Sequence, residues 1–242
     1  MEAIILAGGL GTRLQSRLID LPKAMAPVAG RPFLQILLDR LVDAGCNRVI
    51  LCVGHLRQVI VNSFGVSYRG VPISYAIEES PLGTGGAIRL GLEKGTEDSL
   101  LVLNGDTFLQ VDFAQLCRAH ETALRPLTMA ITPVDNVSRY GGVIFEQGCV
   151  AGFAEKGGAG PGWINAGTYV ISRAFPWPED LPDRFSFESD VLAPHLATLR
   201  PAAFLCRGYF LDIGVPEDLD RAQTELAAPI DPADHGHQSR KN

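Results

Sequence analysis

The sequence predicts an α/β fold of the Rossmann type, in which a mainly parallel sheet carries helices on both faces. Three observations support this prediction. Short apolar runs alternate with segments whose apolar residues recur at helical spacing, glycine turns follow several of these runs, and polar residues lie just beyond them. With 242 residues, of which 46% are hydrophobic, the chain is long enough for one large domain.

The predicted elements of the first half follow the order β-α-β-α-β-α-β. Strands are expected at residues 3–6, 48–53, 99–103 and 127–132. Helices are expected at residues 32–44, 83–94 and 113–123. Because this alternation produces a parallel sheet, the carboxyl ends of the strands should meet at one edge, which is where such sheets bind ligands.

The second half follows a different pattern. Short strands separated by glycine turns predict a small antiparallel insertion over residues 140–172, which would form the wall of a second substrate site. Helices are expected at residues 186–199 and 216–226. Residues 1–227 are therefore predicted to form a single domain. The polar segment 228–242 is predicted to be a flexible tail.

Composition argues against several classes of protein. The net charge of −6 argues against general nucleic-acid binding, since phosphate backbones select basic surfaces. No run reaches the roughly 18 apolar residues of a membrane span, and the chain starts without a cleavable signal. The five cysteines are odd in number and include no C-x-x-C motif. This pattern indicates reduced cysteine thiols. We therefore expect a cytoplasmic protein whose partners are neither nucleic acid nor membrane, and a homo-oligomer is compatible with the sequence.

The first predicted strand ends in a glycine-rich turn, GGLGTR at residues 8–13. Glycines let backbone N–H groups approach an anion, and Arg13 and Lys23 add fixed positive charge. The turn lacks the G-x-x-x-x-G-K-[ST] pattern of a P-loop, and leucine occupies the third glycine position of a dinucleotide fingerprint. The strand, the turn and the two cations together predict a cradle for a triphosphate.

Two adjacent motifs resemble a known family. GGLGTRL at residues 8–14, followed by PKAMAPVAGRPFL at residues 22–34, is similar to the signature of the sugar-1-phosphate nucleotidyltransferases. The similarity continues to about residue 225. It implies a nucleotidyltransferase fold of the GT-A-like kind, without the C-terminal β-helix of some members. It also implies an enzyme that joins a nucleoside triphosphate to a sugar 1-phosphate and releases pyrophosphate.

The resemblance further implies the catalytic residues. Arg13 and Lys23 would bind the triphosphate and stabilise the charge of the leaving pyrophosphate, and Asp106 would complete the catalytic set. NGDTF and LDIGVPEDL resemble the family's two metal motifs, so Asp106 and Asp212 are expected to hold Mg²⁺. This ion usually takes one or two carboxylates and completes its shell with phosphate and water.

The same resemblance assigns two sets of binding residues. The nucleotide is expected to contact the first strand and its turn, a base-reading strip and the N-G-D turn: Leu6, Ala7, Gly8, Gly9, Gly11, Thr12, Arg13, Lys23, Glu78, Gly83, Thr84, Gly105 and Asp106. The sugar phosphate is expected to contact a Y-G step, an E-K pair, an N-x-G segment and a pocket acid: Tyr140, Gly141, Glu155, Lys156, Asn165 and Glu188.

The base-reading strip indicates guanine. By resemblance, uridylyl and thymidylyl members tend to have glutamine where this chain has Glu78. Guanine presents two adjacent donors, N1–H and the N2 amino group, and one carboxylate accepts both as a charge-assisted pair. We therefore expect GTP as the nucleotide and Glu78 as its reader, with Glu79 as the alternative reader.

The sugar is indicated by resemblance alone. LGTGGAI at residues 82–88 and FSFE at residues 185–188 are similar to members that activate D-glycero-α-D-manno-heptose 1-phosphate in bacterial capsule, S-layer or lipopolysaccharide synthesis. Mannose-1-phosphate guanylyltransferases are the main alternative. A regulatory protein that binds a sugar nucleotide without turnover stays open as a non-enzymatic alternative. A metal-dependent glycosyltransferase would need an Asp-x-Asp motif, which residues 106–108 do not provide.

Overall fold

The protein is represented by a computed structural model that describes residues 1–9, 11, 14, 17–18, 20–154 and 157–228. Its strands are β1 Glu2–Leu6, β2 Pro27–Val28, β3 Arg31–Pro32, β4 Arg48–Val53, β5 Ser67–Tyr68, β6 Val71–Ile77, β7 Ser99–Asn104, β8 Thr107–Leu109, β9 Leu127–Val134, β10 Val143–Glu146, β11 Cys149–Phe153, β12 Gly162–Ser172, β13 Ala202–Leu205 and β14 Phe210–Asp212.

The helices lie between these strands. The α-helices are α1 Phe33–Asp43, α2 Arg57–Phe64, α3 Gly83–Lys94, α4 Phe113–Ala123, α5 Ala193–Leu199 and α6 Pro216–Glu225. A 3-10 turn covers Lys23–Met25, and a π-helical segment covers Phe187–Leu192. Among the described residues, no helix is long and apolar enough to span a membrane.

In the described part of the chain, ten strands form one sheet in the order β10-β11-β13-β9-β12-β7-β1-β4-β6-β5. Strands β7, β1, β4 and β6 are parallel to one another, and Leu6 at the end of β1 is paired with both Cys52 and Asn104. Strand β12 runs antiparallel to β7 and β9. The parallel strands therefore end together at one edge.

The two faces of the sheet carry different helices, as alternation along a strand requires. Ala3 and Ile5 of β1 pack in the cluster that contains buried residues of α1, α2, α4 and α6, whereas Ile4 packs in the cluster that contains buried residues of α3 and α5. All three side chains are fully buried. A strand buried on both faces is continuously apolar, which is why β1 has no alternating pattern.

The predicted fold class is confirmed, and so are strands β1, β4, β7 and β9 and helices α1, α3 and α4, with small shifts at their ends. The single helix predicted over residues 186–199 is wrong in detail, since a π-helical segment precedes α5. Helix α2 and strand β6 were not predicted. The segment 140–172 is antiparallel as predicted, but its strands extend the main sheet and do not form a separate one. The described residues contain no C-terminal β-helix.

Candidate active site

The glycine turn after β1 and the N-G-D turn after β7 lie side by side. Gly105 N donates to Leu6 O at 3.0 Å, and a Cβ at residue 105 would lie 2.5 Å from the same oxygen. Ala7 N donates to Cys52 O at 2.8 Å, which continues the β1–β4 pairing past the strand end. Only glycine at position 105 allows this close approach, so the sequence brings Asp106 beside the start of the glycine turn.

A second pair of strands positions the other aspartate. Strand β8 pairs antiparallel with β14, so that Thr107 lies opposite Asp212. Ile213 N also donates to Asp106 O at 3.0 Å. These backbone contacts bring two aspartates that are far apart in the chain to neighbouring positions at the edge of the main sheet.

Lys23 lies between the two carboxylates. Its Nζ is 2.5 Å from Asp106 Oδ2 and 3.8 Å from Asp212 Oδ1. The side chain of Lys23 is only 12% exposed, and those of Asp106 and Asp212 are 34% and 21% exposed. The site therefore opens to solvent on the aspartate side, where a ligand has access.

The Asp212 carboxylate is held in an environment that disfavours its charge. Burial raises the pKa of Asp212 above its ordinary value, and the negative charge of Asp106 adds to this effect. Lys23, Arg139 and the Gly214 N–H oppose the rise, the last by donating to Asp212 Oδ1 at 2.7 Å. Two neighbouring carboxylates whose charge needs compensation are suited to bind a cation.

The donor set fits magnesium. Carboxylate oxygens are the hard ligands that Mg²⁺ prefers, and one or two of them are enough when phosphate and water complete the shell. Within the described residues, no third histidine, cysteine or acidic side chain joins Asp106 and Asp212 in a metal cluster. A site with only two protein carboxylates leaves room for phosphate oxygens on the same ion.

The geometry distinguishes the two candidate base readers. A Cβ at Gly8 would lie 2.5 Å from Glu78 Oε1, so this carboxylate packs directly on the glycine turn. Its other oxygen accepts from Leu82 N at 3.0 Å. Burial raises the pKa of Glu78, and the Leu82 N–H partly offsets that rise. Glu79 is exposed and pairs with Arg57 at 3.3 Å. Of the two, Glu78 is the one that contacts a described residue of the turn, Gly8.

The first turn of α3 is built for close packing. Gly83 has φ +75°, and a Cβ there would lie 2.4 Å from Phe185 O. Thr84 Oγ1 accepts from Phe187 N at 2.9 Å. The predicted nucleotide residues Gly83 and Thr84 therefore also connect the base-reading strip to the segment that carries Glu188.

Two of the predicted sugar residues meet each other. Asn165 Nδ2 lies 2.5 Å from Glu188 Oε1 and 2.6 Å from the Tyr169 hydroxyl. Tyr169 is buried, and burial raises its pKa, so the hydroxyl stays protonated. Gly167, with φ +64°, approaches Asn104 so closely that a Cβ would lie 2.5 Å from Asn104 Nδ2. Tyr169 was not among the predicted sugar residues, because its position in an apolar strand suggests a core role.

Comparisons with known proteins identify the family of this chain. The family model described as "Nucleotidyl transferase" matches residues 2–228. The chain belongs to this family. It is 42% identical to the D-glycero-alpha-D-manno-heptose 1-phosphate guanylyltransferase of Aneurinibacillus thermoaerophilus over 93% of this chain and 98% of that protein. The family resemblance predicted from the two motifs is thus confirmed.

Two further proteins are similar to this nucleotidyl transferase. The mannose-1-phosphate guanylyltransferase of Mycobacterium tuberculosis is 35% identical, with 100% of this chain and 69% of that protein covered. The crystal structure of HddC from Yersinia pseudotuberculosis complexed with GMP-PN superposes with a TM-score of 0.81 at 36% identity, covering 93% of this chain and 99% of that one.

Four predicted residues of the nucleotidyl transferase, Thr12, Arg13, Glu155 and Lys156, lie outside the described residues. Next to the first pair, Gly11 has φ +56°, and a Cβ there would lie 3.0 Å from Lys23 Cβ. The glycine turn therefore approaches the Lys23 side chain directly. The predicted Leu6, Ala7, Gly8 and Gly105 lie together with Lys23 and Asp106 at the carboxyl ends of β1 and β7.

An arginine that the sequence did not single out also contacts one of the two aspartates of the nucleotidyl transferase. Arg139 Nη2 donates to Asp212 Oδ2 at 3.3 Å and to Asp212 O at 3.2 Å. The guanidinium lies 4.7 Å from the ring centre of Tyr140, one of the predicted sugar residues. Its position directly before the Y-G step was the one available signal.

Proposed function

We propose that this nucleotidyl transferase is a Mg²⁺-dependent guanylyltransferase that converts GTP and D-glycero-α-D-manno-heptose 1-phosphate into GDP-heptose and pyrophosphate. The observation that carries the proposal is the contact of Lys23 with Asp106 and Asp212 beside the glycine turn. The 42% identity to a heptose 1-phosphate guanylyltransferase over nearly the whole chain supports the choice of substrates.

The reaction needs positioning and charge neutralisation more than covalent chemistry from the protein. A phosphate oxygen of the sugar 1-phosphate attacks the α-phosphorus of GTP, the bond to the β-phosphate oxygen breaks, and pyrophosphate leaves with that oxygen. Lys23 stabilises the charge on the phosphates, together with Arg13 from the glycine turn. Asp106 and Asp212 would hold Mg²⁺, which when bound neutralises triphosphate charge.

Glu78 is assigned to the guanine base. Its carboxylate packs on Gly8, so a base bound beside the turn would lie within its reach. Ionised, it accepts from both guanine donors, whereas uracil and thymine present a single N–H. The complex of the similar HddC with GMP-PN supports a guanine nucleotide.

The sugar is assigned from the relatives rather than from a pocket contact. The heptose enzyme is matched over 98% of its length at 42% identity. The mannose enzyme is matched over 69% of its length at 35% identity. Mannose 1-phosphate is therefore the second candidate substrate. Among the described residues, Asn165 and Glu188 are proposed to bind the hydroxyls of either sugar.

The test measures pyrophosphate release from the purified full chain with Mg²⁺, each nucleoside triphosphate and each sugar 1-phosphate. GTP with the heptose 1-phosphate should react fastest. A higher kcat/KM with mannose 1-phosphate would replace the sugar assignment. Binding of GDP-sugar without any pyrophosphate release would favour the regulatory alternative.

A pair of neighbouring variants tests the base assignment. Glu78→Gln should lower the preference for GTP over UTP by about tenfold or more, because the amide cannot accept from both guanine donors. Glu79→Gln is the matched control, since Glu79 is exposed and pairs with Arg57. An unchanged base preference in Glu78→Gln would remove this residue from the base site.

A further inference from the structure

The loop at residues 135–142, between β9 and β10, is hydrogen-bonded to both sides of the E-K pair at residues 155–156. Ala154 N donates to Gly142 O at 2.8 Å, and Gly157 N donates to Ser138 O at 3.1 Å. The loop is therefore connected by backbone hydrogen bonds to the described residues on each side of the pair that is expected to hold the phosphate of the sugar.

Arg139 connects this loop to the metal-binding side of the site. One guanidinium nitrogen donates to the carboxylate and the carbonyl of Asp212, at 3.3 and 3.2 Å. The other donates to Asp218 Oδ2 in the first turn of α6. Asp218 is buried and also accepts from Arg221 at 3.0 Å. The fork of one arginine thus joins two carboxylates that flank the end of β14.

The next residue of the loop makes a second contact with the same strand. The Tyr140 ring packs edge-on against Phe210 in β14, with ring centres 5.5 Å apart. The Arg139 guanidinium lies over the Tyr140 ring, 4.7 Å from its centre. Residues 139 and 140 therefore fix the loop on the strand that ends at Asp212, by an ion pair and by aromatic packing.

We propose that Arg139 is a positioning residue. It holds the loop at residues 135–142, which carries the predicted sugar residues Tyr140 and Gly141, at a fixed position relative to the Asp212 carboxylate. This inference rests on the proposed function of the site. The planar guanidinium holds Asp212 and Asp218 at once, and a lysine ammonium cannot reproduce that geometry. The distance between the attacking phosphate and the nucleotide then depends on Arg139, although Arg139 contacts neither substrate in this proposal.

The test compares steady-state constants of the full-length wild type and Arg139→Met, which keeps an unbranched side chain and removes the fork. The KM for the sugar 1-phosphate should rise about tenfold and kcat should fall, since small misplacements of a reacting group are costly. The KM for GTP should rise less than the KM for the sugar 1-phosphate, because the described residues of the glycine turn and Glu78 make no hydrogen bond to this loop. Arg139→Lys should recover only part of the loss.

Arg221→Met is the matched control, since Arg221 binds the same Asp218 but is placed on α6 and pairs with Glu225. It should change neither KM. Equal changes in both KM values for Arg139→Met, or the same pattern in Arg221→Met, would overturn the proposal in favour of a general structural role.

Hydrogen exchange of the substrate-free protein gives a readout that does not depend on turnover. Amides in residues 135–142 and 157–160 should exchange faster in Arg139→Met than in Arg221→Met, and unchanged exchange there would also overturn the proposal. If the wild type turns over no sugar 1-phosphate, the proposed function fails, whereas the exchange comparison still decides whether Arg139 orders these loops.

Discussion

The two ends of strand β7 carry polar clusters of opposite kinds. At its amino end, Ser99 meets His120, which also contacts Thr128 and Ser172, at distances of 3.1, 3.0 and 3.3 Å. His120 is only 4% exposed, and its three partners are neutral hydroxyls. At the carboxyl end, the strand leads into Asp106, whose cluster is charged and partly exposed.

The neighbouring strand β1 repeats this contrast. At its amino end, the buried Glu2 accepts from Thr96 N at 2.6 Å, Thr96 Oγ1 at 2.7 Å, Glu97 N at 3.2 Å and Arg48 at 3.2 Å. Burial alone would raise the pKa of Glu2, but these four donors together lower it. At its carboxyl end, the same strand leads into the glycine turn at Gly8.

This difference indicates that residues at the two ends of the parallel strands have different roles. At the amino ends, the buried Glu2 and His120 are hydrogen-bonded to fixed partners within the protein, so these polar groups contribute to the stability of the fold. Polar groups at the carboxyl ends repel one another or lie open, so they are available to ligands. Variants at the two ends should therefore fail in different ways.

The largest effect is expected at the carboxyl end. Asp106→Asn should lower turnover on the order of 10³-fold, because it removes a carboxylate proposed to bind the metal ion. The free energy of unfolding should change by less than about 1 kcal/mol, since a partly exposed ion pair contributes little. Pyrophosphate release and urea denaturation measure the two quantities.

Asp112→Ala provides the control for Asp106→Asn. Asp112 is exposed and caps α4 by accepting from Gln115 N at 2.9 Å. Its loss should cost about 1 kcal/mol of stability and leave turnover intact. If Asp106→Asn instead kept its activity, or lost stability to the same extent as Asp112→Ala, the contrast between the strand ends would not hold.

A smaller effect of the opposite kind is expected at the amino end of β1. Glu2→Gln should lower the free energy of unfolding by about 2 kcal/mol, because it weakens the charge-assisted bonds that the buried Glu2 carboxylate accepts. The KM for GTP should be unchanged at a temperature where both proteins are folded. Glu97→Gln is the control, since the Glu97 side chain is exposed, and it should stay within about 0.5 kcal/mol of wild type.

The relative placement of the residues predicted to bind the nucleotide follows from local signals in the sequence. The glycine turn, the N-G-D turn and their strands are contiguous in sequence, and parallel pairing aligns the strand ends. The link from Arg139 to Asp212 joins residues 73 positions apart, and no local pattern encodes it. Helix α2 was not predicted because only two of its residues, Ile60 and Phe64, are buried. Two buried residues form an apolar face that is too narrow to produce a helical pattern in the sequence.

The smallest effect is a pH dependence at the amino end of β7. Burial lowers the pKa of His120 below its ordinary value of 6.5, because the imidazolium is poorly solvated there. Below about pH 6.5 the unfolded chain binds this proton more readily than the folded protein, so stability should fall as the pH falls. The slope from this residue is at most about 1.4 kcal/mol per pH unit and ends at the folded pKa.

His120→Gln isolates that contribution, because the amide can still donate and accept among the three hydroxyls but does not titrate. Free energies of unfolding should be measured for both proteins between pH 5 and 7.5. The other histidines are common to both chains, so the difference between the two curves reports His120 alone. Wild type should lose stability more steeply below pH 6.5, while both proteins keep the same KM for GTP at pH 7.5. Parallel curves would mean that the amino end of β7 tolerates a charge, and the contrast with the carboxyl end would then rest on the aspartates alone.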